Sequence, residues 1–196
     1  MRALLGSLLA TLAALPALAQ PSPPTLPVRD VSVVYRLDGA ARNAVPGGLP
    51  ETTKLLWDAA GRRLRVEPQG RGQVLLVDLA VPQAELIEPG LHGVIKLPMR
   101  PKDVEPITLA DARLTRRGSA VIAGLRCTEY DVAARRGHGV VCLTRDGVAL
   151  RGSGDVDGKQ GSFVALSVTP GPLPASSFEV PAGYMQLTMP NLSQFR

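Results

Sequence analysis

Between Val31 and Thr169 almost every apolar stretch is short, rich in β-branched residues and closed by a turn signal, a pattern that restricts the chain to an antiparallel sheet. Val31-Ser-Val-Val-Tyr-Arg-Leu37 ends at Asp38-Gly39. Thr52 to Trp57 and Arg63 to Glu67 flank Asp58-Ala-Ala-Gly61. In the second of these, Leu64 and Val66 face one way and Arg63, Arg65 and Glu67 the other, the period-2 signature of a half-buried strand. Gln73 to Asp78 follows the Gly70-Arg-Gly72 turn, and Ala84 to Ile87 follows Pro82. A second series runs Arg116 to Ala123, Cys127 to Val132, Val140 to Thr144, Val148 to Arg151 and Ser162 to Thr169. Asp146-Gly147 and Asp157-Gly158 supply its hairpin turns. No repeat period of solenoid length is present. The expected class is mainly β, with a small α contribution.

The middle of the chain departs from this pattern. Pro89, Gly90, Gly93, Pro98, Pro101 and Pro106 surround one apolar patch, Val94-Ile-Lys-Leu97, so the segment reads as a lid, a cover over the sheet or a short helix. Thr108-Leu-Ala-Asp-Ala-Arg-Leu114 is the best helical candidate, with Thr108 as N-cap and Asp111 as the acidic half of a partial capping box.

Cys127 and Cys142 are the two cysteines, and they stand on the arms of the predicted 127–144 hairpin. Their placement fits one structural disulfide better than a metal site or a nucleophile. In a simple hairpin with its tip between Ala134 and Arg135 the two face each other directly, within bonding range. Gly137 and Gly139 point instead to a later tip, which would need a bulge to restore the match.

An oxidising compartment is also what the N-terminus implies. Arg2, the apolar stretch Ala3 to Leu15, Pro16 and Ala17-Leu18-Ala19 form a secretory signal with cleavage after Ala19. The apolar stretch is too short to span a bilayer, and no later stretch is a membrane-helix candidate. The expected organisation is a signal peptide over 1–19, a Pro-rich leader over 20–27, one domain over 28–184 and a C-terminal tail over 185–196. The protein is expected in the periplasm or secreted.

The formal net charge is +5. The arginines occur as scattered pairs, Arg62-Arg63, Arg116-Arg117 and Arg135-Arg136, on what read as solvated strand faces and hairpin tips. With one Trp, three Tyr and three Phe, the chain lacks the basic stripe with interleaved aromatics that nucleic-acid binding requires. His92 and His138 stand far apart in no metal-ligand spacing. No Gly-x-Ser-x-Gly elbow and no phosphate-cradling glycine loop is present. Gly152 to Gly158 has some features of a calcium loop, but Val164 falls where a bidentate Glu is required, and a type I′ turn explains the same residues. No nucleophile, base and orienting group can be placed together, so no cofactor, no metal and no enzymatic activity are expected.

What remains is one apolar side of an antiparallel sheet with little helix to cover it, an arrangement suited to an apolar ligand. Trp57, Leu75, Leu86, Val94, Ile95, Leu97 and Met99 are the candidate lining. The alternative is that the concave side is filled as ordinary core.

The second half contains Ile122-Ala-Gly-Leu-Arg-Cys127-Thr-Glu-Tyr130, then Val140-Val-Cys142-Leu-Thr-Arg-Asp-Gly147, and finishes with Phe178-Glu-Val-Pro-Ala-Gly-Tyr184. This arrangement resembles the DUF4412 group of exported bacterial proteins and, more distantly, the LolA/LolB-like superfamily. The resemblance implies a curved antiparallel half-barrel with a few short helices or loops on its concave face. It also implies a periplasmic carrier of lipid or acyl chains, or else a non-enzymatic envelope module with a protein partner. Sparse aromatics depart from the carriers' aromatic-lined cavity, and the signal has no lipobox cysteine. No binding residue matches at motif level.

Overall fold

The computed structural model describes residues 23–43, 47–100, 103, 108–109 and 111–187. The expected signal peptide over 1–19 lies outside them. Twelve strands form one sheet: β1 (Val31–Gly39), β2 (Thr52–Asp58), β3 (Arg63–Pro68), β4 (Val74–Asp78), β5 (Gln83–Glu88), β6 (Gly93–Pro98), β7 (Arg113–Ile122), β8 (Leu125–Ala134), β9 (Gly137–Leu143), β10 (Ala149–Val156), β11 (Lys159–Pro170) and β12 (Met185–Gln186). Their order is β12-β6-β5-β4-β3-β2-β1-β11-β10-β9-β8-β7. Two meanders, β1 to β6 and β7 to β11, are joined where β11 returns to pair with β1 from Val31↔Pro170 to Gly39↔Gly161. All neighbours are antiparallel except β12, which lies parallel to β6. The sheet curls until β7 approaches β11, and its inner face closes on one core. A mainly β antiparallel sheet is what the strand pattern predicts, and its curved, open form is what the resemblance implies.

Local chemistry explains two of the hairpin turns. Asp157 and Gly158 join β10 to β11 with φ of +52° and +77°, the paired positive angles of a type I′ turn. The Gly158 N–H donates to Asp155 Oδ1. The sequence that looks like a calcium loop is therefore used as a hairpin. Between β2 and β3, Asp58 Oδ1 accepts the Gly61 N–H and its Oδ2 accepts Arg63 Nε and Nη2.

Two expectations for the middle of the chain are corrected where the structure describes it. Of the 88–106 segment read as a lid, a cover or a short helix, residues 101–102 and 104–106 lie outside the described residues, and Val94 to Leu97 is none of these. It is the centre of β6, paired with β5 from Gln83↔Pro98 to Glu88↔Gly93. Nor does a helix run from Thr108 to Leu114. Leu109 has φ +50°, the Ala112 N–H donates back to the Leu109 carbonyl, and β7 begins at Arg113. One turn with a capping pattern does not outweigh the ten-residue pairing of β7 with β8 that begins inside the same window.

The ends of the domain are docked. Leu26 of the leader packs against the core, Trp57 Nε1 donates to the Pro27 carbonyl at 2.7 Å, and Arg29 pairs with Asp146 at 2.5 Å. At the other end, Phe178 is buried with Arg63 stacked 5.2 Å from its ring centre, and Arg65 donates to the Ser177 carbonyl. Val180 and Tyr184 cover Leu76, Ile87 and Val94. The Phe178 to Tyr184 motif thus covers the outer face of β3 to β6, and the 3-10 turn Ala175–Phe178 lies on that side rather than in the concavity. The first residues of the expected tail form β12.

Candidate functional site

Register arranges the concave face of β1 to β6 into two transverse rows. Val31, Trp57, Leu64, Val77, Ala84 and Leu97 stand opposite one another across six strands. Val33, Leu55, Val66, Leu75, Leu86 and Ile95 form the parallel row two residues away. Both rows are wholly apolar because each strand alternates, so one correct pairing brings every apolar residue to the same side. At the usual strand spacing each row spans roughly 24 Å.

Six of the seven candidate residues belong to this surface. Trp57 and Leu97 lie in the first row and Leu75, Leu86 and Ile95 in the second. Met99 follows Leu97 by two residues and packs against the same core. Val94 does not belong. It points to the outer face, where it packs with Leu76 and Ile87 beneath Val180 and Tyr184. Period-2 parity within Val94-Ile-Lys-Leu97 separates Val94 from Ile95 and Leu97, a signal available once the patch is read as a strand. Val31, Val33, Leu55, Leu64, Val66, Val77 and Ala84 complete the rows. They are missing from the sequence-based lining because only cross-strand register shows that they are aligned with it.

Burial varies along the rows, and Leu55 and Leu64 on β2 and β3 are half-buried. Trp57, Val66, Leu75, Val77 and Ala84 are buried and share one cluster with Cys127, Cys142, Val148 and Leu150 of the second meander. Leu86, Ile95, Leu97 and Met99, at the β5–β6 end, are half-buried. The inner concavity is therefore filled, and its apolar surface continues outward to a partly open mouth. Neither of two open clefts, about 620 Å3 beside Asp30 and Ala59 and about 460 Å3 over Arg36, Ser162 and Arg151, is lined by any candidate residue.

Cys127 and Cys142 form a disulfide with Cα atoms 5.5 Å apart. They do not face each other directly. The hairpin turns at Arg135-Arg136, so Cys142 stands opposite Glu129, and Cys127 pairs with Ala120 on β7. The cysteines are diagonal neighbours, brought together beside the bulge at Leu150 of β10.

The titratable groups near this core are structural. Tyr35 is buried, which pushes its phenol well above the usual range, and its hydroxyl donates to the Ala149 carbonyl at 2.6 Å. Burial alone would raise Asp58, but the Gly61 N–H and the Arg63 guanidinium outweigh it and hold the carboxyl below the ordinary carboxylate value. His92 lies against Tyr184, ring centres 5.7 Å apart, and His138 pairs across β9 and β10 with Asp155. Among the described residues no group of His, Cys, Asp or Glu is arranged to hold a metal ion, and no helix is long and apolar enough to cross a membrane.

The fold is one already seen in bacterial proteins. An uncharacterised conserved protein from Thermus thermophilus superposes with a TM-score of 0.51 at 11% identity, over 82% of this chain and 90% of that one. Lower-scoring similarities include the Mycobacterium tuberculosis lipoprotein LppX, with TM-score 0.44 and 15% identity over 70% of this chain and 85% of that one. Another is the Pseudomonas aeruginosa MucA/MucB complex, with TM-score 0.40 and 16% identity over 79% of this chain and 56% of that one. The chain thus spans little more than half the length of that last neighbour. No known family matches the sequence, so membership of the DUF4412 group is not shown, and no curated protein matches it either.

Proposed function

We propose that the protein is an exported, non-enzymatic binder of an apolar molecule such as a lipid acyl chain, held at the β5–β6 mouth of the concave face. One observation carries this reading: the two apolar rows run unbroken out of the filled core to half-buried Leu86, Ile95, Leu97 and Met99. A flexible chain laid along them would extend the core with no polar group to desolvate. The filled inner half limits the site to a chain or two rather than a bulky lipid. The signal-sequence reading and the disulfide support a periplasmic or extracellular setting.

Native mass spectrometry of the mature protein purified from the periplasm tests the proposal. Bound apolar mass is expected, and it should be lost in Leu97→Glu while the fold is kept. Repeatedly empty preparations would overturn it. A second reading is favoured by the filled core itself: an envelope module that binds a protein and holds no small ligand. It predicts empty preparations together with a protein-binding surface elsewhere on the sheet.

A further inference from the structure

The two edges of the sheet are not alike. At one, β12 pairs with Gly93 and Val94 of β6, and Pro98 ends the strand, a residue that cannot donate to an added ladder. At the other, β7 offers ten residues and pairs on one side only, with β8, from Arg113↔Ala133 to Ile122↔Leu125. About half of its N–H and C=O groups therefore point away from the sheet, and none has a main-chain partner among the described residues. Thr115, Arg116, Arg117, Ser119 and Val121 are exposed along it, Val121 by 65%. Such an edge is a template for another strand.

Charge says which strand. β7 carries Arg113, Arg116 and Arg117 and no acidic residue. From Asp111 to Arg145 there are seven arginines against Asp111, Glu129 and Asp131. Glu129 is engaged by Arg151 and Asp131 by Arg117. Arg113 and Arg116 have no ion pair among the described residues. A second copy of this chain pairing antiparallel along the whole of β7 would place Arg117 opposite Gly118 and so diagonal to Arg116 of that copy, twice over, and like charges at such neighbouring positions are unfavourable. The bulge between Arg116 and Gly118 further spoils a long continuous self-pairing. The features that reject a second copy admit a strand of opposite charge.

We propose that β7 is a docking edge for an extended acidic segment of a partner protein, which adds as a further strand with its carboxylates beside Arg113 and Arg116. Main-chain bonds would give affinity and the arginines selectivity, the division seen in strand addition generally. This surface lies across the sheet from the β5–β6 mouth and does not depend on what that mouth binds.

The probe is a twelve-residue synthetic peptide alternating Glu with Val and Thr, offered to the intact mature protein. Controls replace Glu by Lys, or block alternate peptide N–H groups by N-methylation. Anisotropy titration is expected to show binding of the Glu peptide, weaker by about tenfold for the Lys peptide and absent for the N-methylated one. Hydrogen exchange should slow at amides of β7 and not at those of β6. The exposed pair Arg113→Glu/Arg116→Glu should invert the preference, with unchanged protection of β1 showing that the fold is intact. The proposal is overturned by equal binding of the two charged peptides, by binding without β7 protection, by no binding of the Glu peptide, or by a dimer of the unmodified protein that buries β7.

Discussion

The Tyr35 hydroxyl donates to the Ala149 carbonyl at 2.6 Å, tying β1 to β10 across the intervening β11. Ala149 precedes the bulge at Leu150, which is fully buried, so the bond fixes the bulge where the two meanders share their core. Tyr35→Phe leaves that carbonyl without its donor and should cost about 1–3 kcal/mol, seen as a lower urea midpoint with an unchanged m-value. A second effect has a definite sign. The folded-state pKa of Tyr35 is raised, so above about pH 10 the unfolded chain loses a proton that the folded one keeps, and stability falls with pH. The Phe variant should lack this part of the alkaline slope. Parallel slopes in the two proteins would refute it.

Breaking the disulfide should loosen the same region. The bridge closes a loop with a sequence separation of 15, for which unfolded-state loop closure gives about 3 kcal/mol. Cys127→Ala/Cys142→Ala should be destabilised by that order and stay folded, because the rest of the shared core is untouched. Thiol titration of the denatured, unreduced protein should find no free thiol. Two free thiols would refute the pairing.

Alternation and turn chemistry are local, and they place ten of the twelve strands. They fail at Val94 to Leu97 and from Asp111 to Leu114, where prolines and a capping pattern suggest irregular structure or helix. There the outcome is decided by β5 and β8, whose edges need partners, and no window of sequence contains both members of such a pair. Val94 shows the same limit at the site. Its apolar character marks it for the lining, yet only its place in β6 assigns it to the outer face. The disulfide is legible as a pairing but not as a geometry, because Arg135 and Arg136 make the turn and the bulge at Leu150 lies on a third strand.

Trp57 is the chain's one tryptophan, so fluorescence reports directly on the concave core. It is 6% exposed and bonded to the Pro27 carbonyl. A chain that begins at Val28 lacks that acceptor and Leu26 together. The expected result is a red-shifted emission maximum and a Tm lower by several degrees, about 1–3 kcal/mol. An unchanged spectrum would mean that the leader contributes nothing to the core.

The curl of the second meander depends on close approach of its backbones. A Cβ on Gly154 would lie 2.5 Å from the His138 carbonyl oxygen and 2.8 Å from Gly139 Cα, and neither backbone atom can rotate away. Gly154→Ala should therefore force β9 and β10 apart and destabilise by about 1–3 kcal/mol, the range of overpacking. Gly158→Ala at the adjacent turn acts through its positive φ alone and should cost about 1 kcal/mol. Comparing their urea midpoints separates close approach from conformational freedom; an equal or reversed order would show that the strands have room to part.

Acid should weaken the protein through two named carboxylates. Burial opposes ionisation of both Asp58 and Asp146, yet hydrogen bonds prevail: Gly61 and Arg63 act on the first, Thr144 and Arg29 on the second. Both folded-state values lie below the ordinary one, so each group stabilises the fold fully above the unfolded value of about 4. That contribution is lost as pH falls through the lower folded values, because the unfolded chain then binds protons more readily. Stability should be nearly flat from pH 7 to 5 as far as these groups are concerned, then decline below about pH 4. Asp58→Asn keeps the acceptor for Gly61 but loses the charge opposite Arg63, so it should be less stable at pH 7 and show a shallower decline in acid. Asp146→Asn should do the same and also release Arg29, leaving the leader held by Trp57 and Leu26. Urea midpoints of the three proteins between pH 7 and 2 decide the matter. If both variants decline as steeply as the parent, the acid sensitivity lies in other carboxylates.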